Sequence, residues 1–435
     1  MDPTALQHLR TLAAQHALDI AGAKIRRTSS RFCLGVEHGD YNGTNLFGVG
    51  TDRYIWVAYK PNNTNTIRLA SGNFPDDGLI TFASGSYPTP PLTEEQSKSW
   101  ARFPHGVDFV LRSEGLLQQS VGFDAVVWGN IPGGGMSRFL SRVDGVGAGR
   151  DQRRAARRSA SLCLNLIATW LDVNEATLPP PAPGSLAREV ELAVRVENAY
   201  VGSPCGNLDQ IMIWHARENA GTLYEPEAKK ISYVPLGAGA PDFAFVALDT
   251  GTDRPGLEKS TYKVRREECD DFAEELFAKS FINRPVLADV SIKDYGKIER
   301  AYADTMWSPH LNRLAYLINA QMSFETMIAA WRRGDVEEVG ALFRNDGRGL
   351  RDDYCISGPE LETMCDIART VDGVYGERML GGGDKGAAGA IVRADAVEAL
   401  KAAVARAYPL AHPLYECAVH EVRVTTGVAT FEGEL

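Results

Sequence analysis

Three short stretches hold residues whose types and spacing suit chemistry on hydroxyls and phosphates. "RFCLGVEHGDYNG" (31–43) sets Arg31, Glu37, His38 and Asp40 within ten residues and ends in an Asn42-Gly43 turn. Carboxylates accept from pairs of hydroxyls, and imidazole donates or accepts, so such a loop could ring a sugar. In "NIPGGGMS" (130–137), followed after an insert by "SASLCLNL", a glycine loop feeds a helix. Free N–H groups and the positive end of a helix dipole suit phosphates there, and a serine hydroxyl can reach a phosphate or Mg²⁺. It is not a Walker A loop, because no G-K-[ST] follows. "VENAYVGSPCGNLDQ" (196–210) places Glu197 and Asp209 twelve apart, one near a helix end and one in a glycine turn. One could hold Mg²⁺ while the other orients or deprotonates a hydroxyl nucleophile. Taken singly, a solvated turn, a common glycine loop and two surface acids are the commoner explanation of such stretches.

The elements that must position these residues can be read from periodicity. Residues 5–18 read as a short amphipathic helix, 46–61 and 66–71 as neighbouring strands, and 99–115 as a helix whose start Pro104 displaces. Residues 122–132 read as a strand running into the glycine turn, and 159–173 as a helix apolar on nearly all sides. "TLPPPAPGS" (177–185) is a loop, and 186–202 is again helical. Beyond about residue 215 come strands, then several helices, then "GVYGERMLGGGDKGAAGAIV" (373–392), a strand–turn–strand or strand–turn–helix. Strands and helices do not strictly alternate, which favours an α+β fold over a doubly wound sheet.

The 435 residues suffice for two or three domains. A net charge of −10 argues against broad nucleic-acid binding, which needs basic surface. The seven cysteines are odd in number and show no C-x-x-C spacing, as in a cytoplasmic protein with reduced thiols. No signal peptide or membrane span is expected.

Together, in this order, the three stretches resemble the galactokinase branch of the GHMP sugar kinases. "EHGDYNG", "WARFPHGV" (100–107), "GFDAVVWGNIP", "VENAYVGSPCGNLDQ", "LDTG", "STYKVRREEC" (260–269), "LRDDYCISGPELE" (350–362) and "GVYGERMLGGG" (373–383) follow the family's order over most of the chain. The resemblance implies a two-lobed α+β GHMP kinase fold. An N-terminal lobe like domain 2 of ribosomal protein S5 (1–215) would pair with a ferredoxin-like C-terminal lobe (216–435), the active site lying between them. It implies a monomer that phosphorylates D-galactose at C1 with ATP and Mg²⁺.

The resemblance also assigns roles. Asp209 would orient or deprotonate the C1 hydroxyl, and Arg31 would hold Asp209 ionised and offset charge on the moving phosphoryl group. Glu37, His38, Asp40, Gly206 and Tyr262 would bind the sugar. Glu197 and Ser159 would hold Mg²⁺. Gly133, Gly134, Gly135, Ser137 and Ser159 would wrap the ATP phosphates, and Trp100 would line the adenine pocket. A Glu37 carboxylate facing C6 suits a hydroxymethyl group, repels a uronate and finds nothing to bind in arabinose. That ranks galactose above arabinose and galacturonate and leaves N-acetylgalactosamine open at C2.

One departure is large. Residues 138–158 separate the glycine turn from the helix, with seven arginines and two aspartates. Closing a loop of about 20 residues costs on the order of 3 kcal/mol, which a folded domain tolerates. Geometry objects more strongly, since a misplacement of about 1 Å can cost 10²-fold. Three readings stay open: a looped-out segment, a galactose-sensing protein without turnover, or an artefact of the gene's reading. The insert's arginine-rich, apolar-poor composition favours the first and third.

Overall fold

The computed structural model describes residues 1–131, 159–252 and 260–435. Gly133, Gly134, Gly135, Ser137 and the insert 138–158 lie outside the described residues. The sequence opens on α1 (Pro3–Gln15), begun by Asp2, whose carboxylate accepts from the Thr4 N–H at 2.9 Å, and by Pro3 in the first turn. Its Ala5, Leu9, Leu12 and Ala13 face a sheet lined by Ile25, Trp56, Val126 and Trp128.

That sheet runs β12–β1–β2–β5–β3–β4, with β1 (Lys24–Gly35), β2 (Leu46–Pro61), β3 (Thr66–Ser71), β4 (Leu79–Ala83), β5 (Phe123–Gly129) and β12 (Val428–Phe431). Its pairs are antiparallel except β3 with β5. Near its start β2 also pairs with β6 (Ala220–Glu225), which carries β7 (Lys230–Pro235). The sheet therefore draws on chain from both sides of the expected division at 215/216.

On its inner face lies α3 (Ser159–Val173), buried all round as its apolar sequence requires. Its mid-helix Asn165 donates to the Ile55 and Arg26 carbonyls at 3.0 and 3.2 Å. Thr28 of β1 donates to the Ser161 carbonyl at 2.9 Å. These bonds lock α3 onto β1, the strand that carries Arg31.

The helix expected over 99–115 is α2 (Arg102–Ser113), with Pro104 in its first turn, where the missing N–H costs nothing. The expected single helix 186–202 is α4 (Arg188–Arg195) followed by a wider π-helical turn, Val196–Val201. After it comes the short α5 (Leu208–Trp214).

The second sheet is antiparallel, β11–β8–β10–β9, from β8 (Phe243–Asp249), β9 (Val374–Met379), β10 (Ala387–Arg393) and β11 (Ala418–Val422). The 373–392 stretch is thus strand–turn–strand. On it pack α9 (Val336–Asp352), α10 (Pro359–Arg369) and α11 (Val397–Ala411), while α6 (Thr261–Ala278) and α7 (Ile292–Tyr302) pack on α8 (Ser308–Arg333), which lies against α9. Phe32 of β1 meets Phe245 of β8 at 4.7 Å and Phe343 of α9 at 5.5 Å between ring centres. One apolar core thereby joins the two sheets. No helix among the described residues is long and apolar enough to cross a membrane.

Candidate active site

Arg31 lies near the end of β1, opposite Gly50 of β2, and the sugar-loop residues follow that strand directly. Asp209 enters from the first turn of α5. The Arg31 Nε donates to Asp209 Oδ1 at 2.7 Å, and Nη2 lies 2.7 Å from the same oxygen. The arginine side chain is 9% exposed and the aspartate 47%, so the acid faces open space from a buried cationic base. Burial alone lowers the affinity of Arg31 for its proton, but Asp209 and Glu37 outweigh it and hold the guanidinium charged. Oδ2 of Asp209 has no partner among the described residues and is free to meet a hydroxyl.

Asp40 crosses to the same turn. Its Oδ2 accepts from the Leu208 N–H at 3.1 Å, immediately before Asp209. Burial pushes its carboxyl up to about 6, the Leu208 bond opposes this, and the negative Asp209 adds to it. Gly206 was expected to offer its backbone to a sugar. The structure shows that it also makes room, since a β-carbon there would sit 1.9 Å from Asp40 Oδ2.

His38, at φ +60°, has its Nδ1 3.0 Å from the Tyr41 hydroxyl. That hydroxyl is 2.7 Å from Tyr354 Oη, which is itself 3.2 Å from Cys269 Sγ. Tyr262, in the first turn of α6, lies with its ring centre 5.2 Å from that of His38. Of the expected sugar residues, Asp40 and Gly206 thus lie against the turn that carries Asp209, and His38 and Tyr262 pack against each other. Glu37 is nearly buried, and its two oxygens already face arginines: Oε1 is 3.4 Å from Arg31 Nη2, and Oε2 accepts from Arg378 Nη1 at 3.1 Å.

Glu197 stands on the π-helical turn, a break of the kind that often accompanies functional side chains. Its Oε2 accepts from Ser159 Oγ at 2.6 Å and its Oε1 from Gln210 Nε2 at 2.8 Å. Burial pushes it up to about 7; the Ser159 bond opposes this and Asp209 adds to it. No cluster of three or more His, Cys, Asp or Glu side chains suited to a metal occurs among the described residues. A buried carboxylate with an adjoining serine nevertheless fits Mg²⁺, which takes few protein ligands and fills its shell from water and phosphate.

Trp100 is fully buried, its ring stacked on Phe74 at 6.0 Å and its backbone N–H donated to Asp77 Oδ2 at 2.9 Å. Sequence reasoning missed Arg378, Asp346, Tyr316 and Tyr354. Tyr316 of α8 donates to the Glu37 carbonyl at 2.9 Å. Arg378 and Tyr354 both sit in stretches that carry the family resemblance, but only their partners give them a role.

No family model matches the chain. The galactokinase of Staphylococcus saprophyticus is 26% identical over 378 residues, covering 87% of this chain and 88% of its own. The fold superposes on Lactococcus lactis galactokinase, solved with galactose, with a TM-score of 0.81 and 22% identity over 98% of this chain and 99% of that one. It also superposes on the mevalonate kinase of Methanococcus jannaschii, with a TM-score of 0.58 and 13% identity over 92% of this chain and 98% of that one. The resemblance read from the sequence therefore holds in both comparisons: the chain shares its fold with a galactokinase and a mevalonate kinase, and its sequence is similar to galactokinases along nearly nine-tenths of its length.

Proposed function

We propose that the protein transfers the γ-phosphoryl group of ATP to the C1 hydroxyl of D-galactose, giving α-D-galactose 1-phosphate and ADP. The observation that carries this reading is the Arg31–Asp209 contact at 2.7 Å, with Asp40 bonded one residue away at the Leu208 N–H. It joins a candidate base to a polar ring of sugar-binding type. The galactokinase relatives and the galactose-bound neighbour support the choice of sugar.

Phosphoryl transfer through a loose transition state asks mainly for positioning and charge neutralisation. Asp209 Oδ2 would take the hydroxyl proton late in the transfer, while Arg31 offsets charge on the moving group. Asp40, His38, Tyr262 and the Gly206 backbone would hold the ring. Glu37 keeps a lone pair on each oxygen for a hydroxyl beyond its two arginines. Glu197 and Ser159 would hold Mg²⁺, which neutralises charge on the ATP phosphates. The glycine loop at 133–135 with Ser137 would wrap those phosphates, with Trp100 beneath the adenine. The substrates would meet between lobes 1–215 and 216–435, in a monomer of the cytoplasm.

ADP release over a sugar panel tests the reading, using the full chain, a version lacking 138–157, and Asp209→Asn. Turnover by the full chain with galactose first among the sugars is expected, with a loss of 10²-fold or more in Asp209→Asn. Activity confined to the shortened version would identify the insert as a block. Full activity in Asp209→Asn would refute the assignment.

A further inference from the structure

We propose that Arg378 is a positioning residue for this transfer: by neutralising Glu37, it leaves the Arg31 guanidinium free to hold Asp209. The inference rests on the proposed reaction and extends it to a residue 341 positions from Glu37.

Arg378 stands on β9 and is fully buried. Its Nη1 donates to Glu37 Oε2 at 3.1 Å and its Nη2 to the Cys33 carbonyl at 3.0 Å. Its Nε lies 3.3 Å from Asp346 Oδ2, and its Cζ lies 4.5 Å from the Phe343 ring centre. Both Nη groups are thus hydrogen-bonded, one to the acid and one to β1 two residues past Arg31, while Nε makes an ion contact alone.

Arg31 has two anions to serve. It lies 2.7 Å from Asp209 and 3.4 Å from Glu37, so the closer contact goes to the more exposed acid. In a low-dielectric interior the buried anion should win that competition, because its charge has no water to fall back on. Arg378 removes the competition by supplying the nearer cation for Glu37. Without it, Glu37 would retain Arg31 as its one cation and draw the guanidinium away from Asp209. The β1–β2 pairing of Cys33 with Gly48 and the Tyr316 bond to the Glu37 carbonyl fix the backbone on either side independently of Arg378, which makes side-chain rotation of Arg31 the easiest response.

Three variants of the full chain test this, with kcat for ADP release at saturating sugar and galactose affinity by calorimetry as the readouts. Arg378→Lys keeps the charge but lacks the planar fork, and kcat should fall about tenfold with galactose affinity kept within about threefold. Arg378→Met with Asp346→Asn removes one charge of each sign, and kcat should fall about 10²-fold, as for a misplacement of about 1 Å. Adding Glu37→Gln to that pair removes the anion that draws Arg31 away, and kcat should recover about tenfold at saturating sugar. Mere loss of packing would be worsened by a third substitution, so the recovery separates positioning from structure.

The proposal is overturned if the Lys variant keeps kcat within about threefold of the unsubstituted chain. It is overturned equally if the triple variant is slower than the double. Should the double variant fail to fold by circular dichroism, the Lys variant decides alone. Turnover by the unsubstituted chain reports separately on the reaction. If another sugar replaces galactose there, the same ratios measured with that sugar still decide the role of Arg378; if no sugar is turned over, both ideas fall.

Discussion

Gly206 and Asp40 approach so closely that a β-carbon on the glycine would overlap the carboxylate, at 1.9 Å from Oδ2. That contact links the sugar loop to the turn carrying Asp209. The close approach, not an unusual φ, is what demands glycine here. Gly206→Ala should therefore expel Asp40 from its bond to the Leu208 N–H while leaving both cores untouched. Galactose KM should rise by about 10²-fold, the cost of misplacing a binding group by about 1 Å. The thermal midpoint should move little. Steady-state kinetics beside a melting curve checks both, and an unchanged KM removes Asp40 from the sugar shell.

Asp40 also sets a pH limit. Its carboxyl, held at about 6 chiefly by burial, takes up a proton as pH falls through that value and stops accepting from hydroxyls. Galactose affinity should be full above about pH 7 and weaken about tenfold per unit below 6. The stability effect has the opposite sign. Between 3.8 and about 6 the folded chain binds the more protons, so raising pH across that window costs stability. Calorimetric titration of galactose from pH 5 to 8 should show the bend, and Asp40→Asn should abolish it.

Glu197 gives a second window. Its carboxyl is raised from 4.5 to about 7 by burial first, against the pull of Ser159. The ionised form therefore costs stability increasingly as pH rises through 7, and a cation would relieve that cost. Below pH 7 proton and Mg²⁺ compete, and the Mg²⁺ concentration for half-maximal turnover should rise about tenfold per unit of pH. Glu197→Gln should lose turnover yet gain on the order of 2 kcal/mol of stability at pH 8, because the buried charge is gone. Urea unfolding at pH 6 and pH 8 checks this: the gain should appear at 8 and shrink at 6.

Much of this arrangement is legible in the sequence, and the reason differs from part to part. Strands such as Leu46–Pro61 declare themselves by β-branched and aromatic residues, and α3 by an apolar surface on every side. Arg31, Asp40, Glu197 and Asp209 stand out because polar residues crowd beside glycine turns. The π-helical turn at Val196–Val201 leaves no trace, since the apolar pattern of 186–202 runs through it without a break. Arg378 could have been suspected as one of two adjacent charges, with Glu377, inside the strand "VYGERM", where burial demands partners. Its partners, Glu37 and Asp346, follow from tertiary packing of β9 against the loop and α9, which no local pattern encodes. Glu37 itself looked like a free sugar ligand because Arg378 lies 341 positions away and no local pattern shows Arg31 turning towards it.

The last consequence concerns Tyr354, whose hydroxyl has three neighbours, two from the sugar loop and one from α6: Tyr41 Oη at 2.7 Å, Asn42 Nδ2 at 3.2 Å and Cys269 Sγ at 3.2 Å. Tyr354→Phe keeps the ring and removes the hub. The Tyr41 hydroxyl keeps His38 Nδ1 at 3.0 Å, and Asn42 keeps its bond to the His38 carbonyl at 2.8 Å, so each loses only part of its bonding. Leaving buried polar groups partly unmet costs about 1–3 kcal/mol. Urea unfolding should show a loss in that range. His38 then depends on a Tyr41 hydroxyl that nothing fixes from behind, so galactose KM should rise while kcat holds, the pattern of lost uniform binding. Asp209 and Arg31 do not touch this network, which is why kcat is spared. A fall in kcat at unchanged KM would show that the phenol chain serves the transfer step and not the sugar.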